Sequence, residues 1–183
     1  MRSRRKVLDA TLELIAAGGF AEVNIAAVAH AAGVSRQTVY SIFGSREELV
    51  SQAMAGLAAD HLETIRGRLE HAETPTEYVV ELIVASRSVS RSDPVLSTLL
   101  HAEQGNPLFD TGMLARAKAV NREMLTPLLE RYPSIEPRLD DIADMAVRLG
   151  VTVLLFDDDA TADDDDLRAF LTRWLGPAMP NCS

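Results

Sequence analysis

VNIAAVAHAAGVSRQTVYSIFGSREEL, residues Val23 to Leu49, spells two short helices joined by a tight turn, with a third helix opening just after. Small apolar residues over Ala27–Ala31 give the first helix its packing face, and Ala29 is small enough for close helix–helix approach. Asn24 is a suitable cap for the start of that helix. Gly33 supplies the positive-φ position that a helix-to-helix turn requires, with Val34 packing beneath it. Ser35 caps a helix over Arg36–Phe43. Ser45 and Glu48 form the S-x-x-E capping box of a long helix that follows. This is the layout of a helix-turn-helix, whose second helix lies in the major groove of DNA. The stretch predicts a DNA-binding protein.

Working outward, four elements recur in a fixed order: the opening RRKVLDATLELIAAGGF, the AAGVS turn, the TVYSIF segment and the SREEL helix start. On these elements residues 4–50, roughly a quarter of the chain, resemble the DNA-binding domain of the TetR family of bacterial transcriptional regulators. Two positions depart from the family pattern. Asn24 stands where the family usually has Thr, and caps a helix equally well. Arg46 stands where the family usually has Lys, which keeps the charge but changes its geometry.

The chain of 183 residues is 47% apolar and poor in aromatics. No β-branched run is bracketed by turn signals, so the pattern predicts an all-α protein of about nine helices. Residues 1–48 read as a three-helix DNA-binding domain, and 49–183 as a helical ligand-binding and dimerisation domain. The net charge of −9 is unevenly divided. Residues 1–50 hold six Lys or Arg against five acids, which leaves −10 on the remaining 133. DNA responds to the local patch rather than to the total, so this division suits a reading head on an acidic body.

The longest apolar stretch, around Val151–Phe156, is too short to span a membrane. The basic N-terminus leads into an amphipathic helix rather than a signal-peptide core. Cys182 alone offers no disulfide framework, and the cytoplasm is the expected compartment. His30, His61, His71 and His101 have no metal-ligand spacing. The runs Asp157–Asp159 and Asp163–Asp166 lack the Gly and closing Glu of a calcium loop. They read as solvated, with Asp163–Asp166 favouring a helix N-terminus that Thr161 caps. Neither a phosphate loop, a dinucleotide fingerprint nor a nucleophile elbow appears, so no cofactor is implied and no enzyme is expected.

Along the rest of the chain, a first helix over about Ser3–Ala17 ends at Gly18-Gly19, with Phe20 as a core plug. Further helices are expected from Ser45 to about Glu73, Pro75 to Ser90 and Asp93 to Glu103. Three more are expected: one reaching Arg131 past Pro127, one from Glu136 to Phe156, and one over Asp163–Leu175. Leu139, Ile142, Ala143, Ala146, Leu149, Gly150 and Val153 line one face of the penultimate helix. Met145, Val147, Val151, Leu154 and Leu155 line a second. A helix apolar on two faces is buried on both, which suggests either a two-fold four-helix dimer interface or intrachain core. The resemblance implies the former, a homodimer through about residues 136–175.

Arg36, Gln37 and Thr38 occupy the part of the recognition helix that reaches base edges. Gln pairs bidentately with adenine and Arg with guanine, while a phosphate contact is the other role open to Arg36. The resemblance places Tyr40 and Arg46 on DNA phosphates, with Thr38 as a third. Half-buried packing is the bland alternative for Tyr40. Asn24 and Ser35 are caps first, and Asn24 stands where helix amides meet a phosphate. Arg2, Arg4, Arg5 and Lys6 read either as a DNA-seeking basic arm or as a solvated terminus.

The resemblance also implies a small-molecule pocket between the middle helices, with ligand shifting the separation of two reading heads. Candidate lining residues are His61, Tyr78, Arg87, His101, Phe109, Met113, Asn121 and Met124, for each of which ordinary core or surface is the more common role. Arg87 suits either an acidic ligand or a neighbouring carboxylate. The reading is a ligand-released repressor of a pseudo-palindromic operator. A ligand-independent regulator and a helical protein-interaction module are its rivals.

Overall fold

A computed structural model describes residues 2–100, 112–156 and 161–179. Among these, nine α-helices and no strand are found: α1 (Arg2–Gly18), α2 (Ile25–Ala32), α3 (Arg36–Phe43), α4 (Arg46–Leu69), α5 (Pro75–Ser92), α6 (Pro94–Leu100), α7 (Met113–Arg131), α8 (Leu139–Leu155) and α9 (Asp164–Leu175). The all-α expectation holds. The described residues form two compact units, 2–62 with 92–100, and 63–91 with 112–156 and 161–179.

In the first unit, α1 packs against α2 and α6, and α2 against α3. Helices of eight residues, as α2 and α3 are, lie below the ~12–15 residues that a helix needs to persist alone. Burial holds them instead. Val7, Ile15, Val28, Val39 and Leu49 are fully buried, and each such side chain contributes roughly 1.5–3 kcal/mol. Thr11 joins this core by donating its hydroxyl to the Val7 carbonyl at 2.8 Å. Phe20 departs from the expected plug. It sits in a 3-10 turn, Gly19–Glu22, and is only partly buried, because Ile15, Val23 and Phe43 already fill the centre.

The second unit is built on α5, of which Tyr78 to Ala85 are buried apart from a partly exposed Glu81. There α7 packs against α8. Pro75 opens α5, as expected, and Pro127 lies within α7. The penultimate helix starts three residues later than the sequence suggests. Residues Pro133–Arg138 form a 3-10 turn and α8 begins at Leu139, because Pro137 lacks an N–H and disfavours α geometry at Glu136. Leu139, Ile142, Ala143, Ala146 and Val147 of α8 are buried, and so are Leu167, Leu171 and Leu175 of α9. Asp163, not Thr161, caps α9, its carboxylate accepting from the Asp166 amide at 2.8 Å. The Asp side chain directly before the first helical residue reaches that amide, whereas Thr161 lies two residues too early. No helix is long and apolar enough to cross a membrane among the described residues.

Candidate nucleic-acid interface

Asn24 accepts from the Ala27 amide at 2.9 Å and so starts α2. Gly33 adopts φ 65°, ψ 37°, donating to the carbonyls of Ala29 and His30, and turns the chain into α3. Ser35 Oγ accepts from the Thr38 amide at 3.0 Å and lies 2.8 Å from the Thr38 hydroxyl. The Thr38 side chain is thereby tied to the cap. Arg36, Gln37 and Tyr40 are exposed on α3, while Val39 is fully buried and so is withdrawn from any thymine methyl. Tyr40 stands 54% exposed, far more than packing would leave it.

Ser45 accepts from the Glu48 amide at 3.1 Å. The Glu48 carboxylate accepts from Gln52 at 2.6 Å, while the Ser45 amide donates to the Phe43 carbonyl. The expected capping box therefore forms through its Ser45 half. Arg46 follows, with Nε and Nη2 donating to the carbonyls of Val23 and Phe20, both at 2.6 Å.

The basic N-terminus is the first turn of α1, not an arm. The Arg4 guanidinium lies over the Phe43 ring, 5.6 Å from its centroid, and donates to Gln52. Arg2, Arg5 and Lys6 line the same groove between α1 and α4, about 950 Å³ in volume, together with Leu8 and Leu57. Asp9 and Asp60 line the groove as well, and Arg4 links it to α3 through Phe43.

Of the residues read as lining a ligand pocket, His101 and Phe109 lie outside the described residues. His61 belongs to the first unit, where its Nε2 lies 3.0 Å from Asp93. Asp93 also accepts from the Val95 and Leu96 amides, which starts α6. In the second unit Tyr78 donates its hydroxyl to the Met124 carbonyl at 2.8 Å, and both residues are buried. Burial raises the Tyr78 pKa, with Arg66 and Arg131 opposing it, so the phenol keeps its proton at neutral pH. Asn121 donates to the Ala117 carbonyl at 3.1 Å, and Met113 is partly buried at the start of α7.

Arg87 is 3% exposed and donates to the Thr161 and Asp163 carbonyls and to Asp164. That is the carboxylate pairing, one of the two roles open to it from sequence. A cavity of about 410 Å³ in this unit is lined by Arg68, His71, Glu81 and Arg168 among others, and by none of the eight candidates. Arg68, Glu81 and Arg168 come from three separate helices and His71 from the turn after α4, so no spacing in the sequence announces them. No cluster of metal-ligating side chains is found among the described residues.

Residues 7–53 match the family described as bacterial regulatory proteins, tetR family. The chain is similar to the HTH-type transcriptional regulator BetI of Brucella anthropi, 29% identical over 121 residues, which cover 63% of this chain and 61% of that protein. It is also 35% identical over 81 residues to BetI 1 of Chromohalobacter salexigens, covering 44% and 40% of the two chains. It thus spans about three fifths or less of the length of these curated relatives. Among solved structures, the TetR family repressor AlkX of a Dietzia strain matches with a TM-score of 0.60 and 26% identity over 96% of this chain and 94% of that one. The regulator CifR, solved with double-stranded operator DNA, matches in fold with a TM-score of 0.61 and 19% identity, over 96% of each chain.

Proposed function

Because the chain belongs, through residues 7–53, to the tetR family of bacterial regulatory proteins, we propose that it is a DNA-binding transcriptional regulator of the cytoplasm and not an enzyme. The observation that carries the reading is α3 itself. Its buried side anchors it through Val39 and Phe43, and its exposed side presents Arg36, Gln37 and Tyr40. Arg36 and Gln37 read base edges, whereas Tyr40 and the Thr38 hydroxyl hold phosphates and fix register. Asn24 and Ser35 set the helix starts that bring their amides to the backbone. Residues 1–48 act as the reading head and 49–183 as the body.

The protein works as a homodimer on a pseudo-palindromic operator, since a two-fold protein reads two half-sites. Support for this comes from α8 and α9, which leave Met145, Phe156, Phe170 and Trp174 exposed on top of a filled core. Exposed apolar side chains that share a helix face, as Phe170 and Trp174 do one turn apart on α9, mark association surfaces. The regulator is a repressor, released when a small molecule binds the body. Such an effector must favour one spacing of the heads over the other.

Selection of bound fragments from genomic DNA, followed by titration across salt, tests this reading. A recovered palindrome is expected, with Arg36→Ala weakening it about five-fold or more, given ~1–3 kcal/mol for a base contact, and Tyr40→Ala weakening binding alike on all sequences through a lost phosphate contact. Weak, sequence-blind binding would overturn the reading and turn attention to protein partners.

A further inference from the structure

Arg46 is the first residue of α4, yet its side chain runs back to the turn between α1 and α2. Nε–H and Nη2–H are the two parallel donors on one edge of the planar guanidinium. One rigid fork therefore reaches the carbonyls of Phe20, inside the 3-10 turn, and Val23, at its end, each at 2.6 Å. Val23 is 1% exposed and immediately precedes the Asn24 cap, so the fork grips the chain where α2 begins. Hydrogen bonds from a charged donor are roughly twice as strong as neutral ones. The remaining Nη1 lies 3.8 Å from the exposed Glu47 carboxylate, a surface pair of little energetic worth. The Nε–H/Nη2–H edge, one of the two paired edges with which a guanidinium can grip a phosphate, is already occupied by backbone oxygens.

We propose that Arg46 is a positioning residue of the DNA-reading head rather than a phosphate ligand: it ties the first turn of α4 to the α1–α2 turn and so sets the start of α2 and, through Gly33, the pitch of α3. A lysine cannot take this place, because its ammonium is a compact point charge with no paired edge. At a phosphate, by contrast, Lys serves as well as Arg in charge. The affinity arm of the test rests on the DNA-binding reading above, and the exchange arm does not.

The full chain and its R46K and R46A variants are compared in two ways. The first is amide hydrogen exchange at Ala27 and Val28 without DNA, and the second is affinity for the selected operator across salt concentrations. Exchange is expected to speed up about ten-fold or more in both variants, since two charge-assisted hydrogen bonds are lost. Operator affinity falls in both, with the salt dependence unchanged. Unchanged exchange, or a salt slope shallower by about 0.9 in R46A with R46K binding like wild type, would overturn the proposal. If R46A fails to fold, R46K decides alone on the same two readouts. Should the wild-type chain select no operator, the DNA-binding reading fails while exchange still decides the role of Arg46.

Discussion

At Gly33 the backbone lies in the left-handed region, and a Cβ built there meets nothing within 4 Å. Strain, not collision, is therefore the cost of a side chain. Gly33→Ala is expected to destabilise the head by about 1–2 kcal/mol, lowering the melting temperature without changing which operator sequence is preferred. An unchanged melting temperature would show that the turn tolerates an L side chain. The neighbouring caps were legible in the sequence for a simple reason. Asn24 and Ser35 each bond an amide three residues on, so the partner is supplied by the chain itself. Arg46 was legible only as a charge. Its two acceptors lie 23 and 26 residues away, and no local pattern announces a carbonyl left open in another turn.

At the scale of elements, α9 depends on an electrostatic tether at its start. Burial pushes the Asp164 carboxyl up, but hydrogen bonds from Arg87, Ser88 and Arg68 outweigh it and hold the group below its ordinary value of 3.8. A depressed carboxylate stabilises the fold in full above its unfolded value, and that contribution is lost as pH falls through the lower folded value. Thermal unfolding followed from pH 7 to pH 2 should show this loss only below about pH 4. Asp164→Asn should lower the neutral-pH melting temperature and flatten the acid limb. An acid limb identical in both proteins would remove the tether from the account. Helix existence was readable from periodicity and breakers throughout the described residues. Boundaries were less so where two signals competed: Pro133 and Pro137 together replaced the first turn expected of α8, and Asp163 rather than Thr161 took the cap of α9.

At the scale of the whole molecule, the apolar surface of α8 and α9 bears on assembly. Trp174 is 66% exposed and Phe170 41%, one helical turn apart, while Leu167, Leu171 and Leu175 fill the inner face. Replacing both Phe170 and Trp174 by Ser should leave the monomer folded and weaken the dimer by at least ten-fold, since buried aromatic anchors often contribute 2 kcal/mol or more each. Light scattering reads the result directly: the wild-type chain of 19.9 kDa should run at roughly twice that mass and the variant should dissociate at micromolar concentration. A wild-type monomer would end the dimer proposal. The division of charge, a head near neutrality and a body carrying −10, is already complete in the sequence and confines DNA attraction to one end of the chain.

Sequence by itself determined the helices, the left-handed turn at Gly33, the three N-caps of the head and the face of α3 that carries Arg36, Gln37 and Tyr40. Each is signalled by bonds and periodicities spanning three or four residues, although α2 and α3 persist only through burial. Tertiary structure alone decided that Arg46 grips the α1–α2 turn, that Arg87 is bound to the start of α9, and that Arg68, Glu81 and Arg168 meet around one cavity. A long charged side chain bonds whichever acceptor packing leaves unfilled within its reach, and only the folded chain specifies where that acceptor lies.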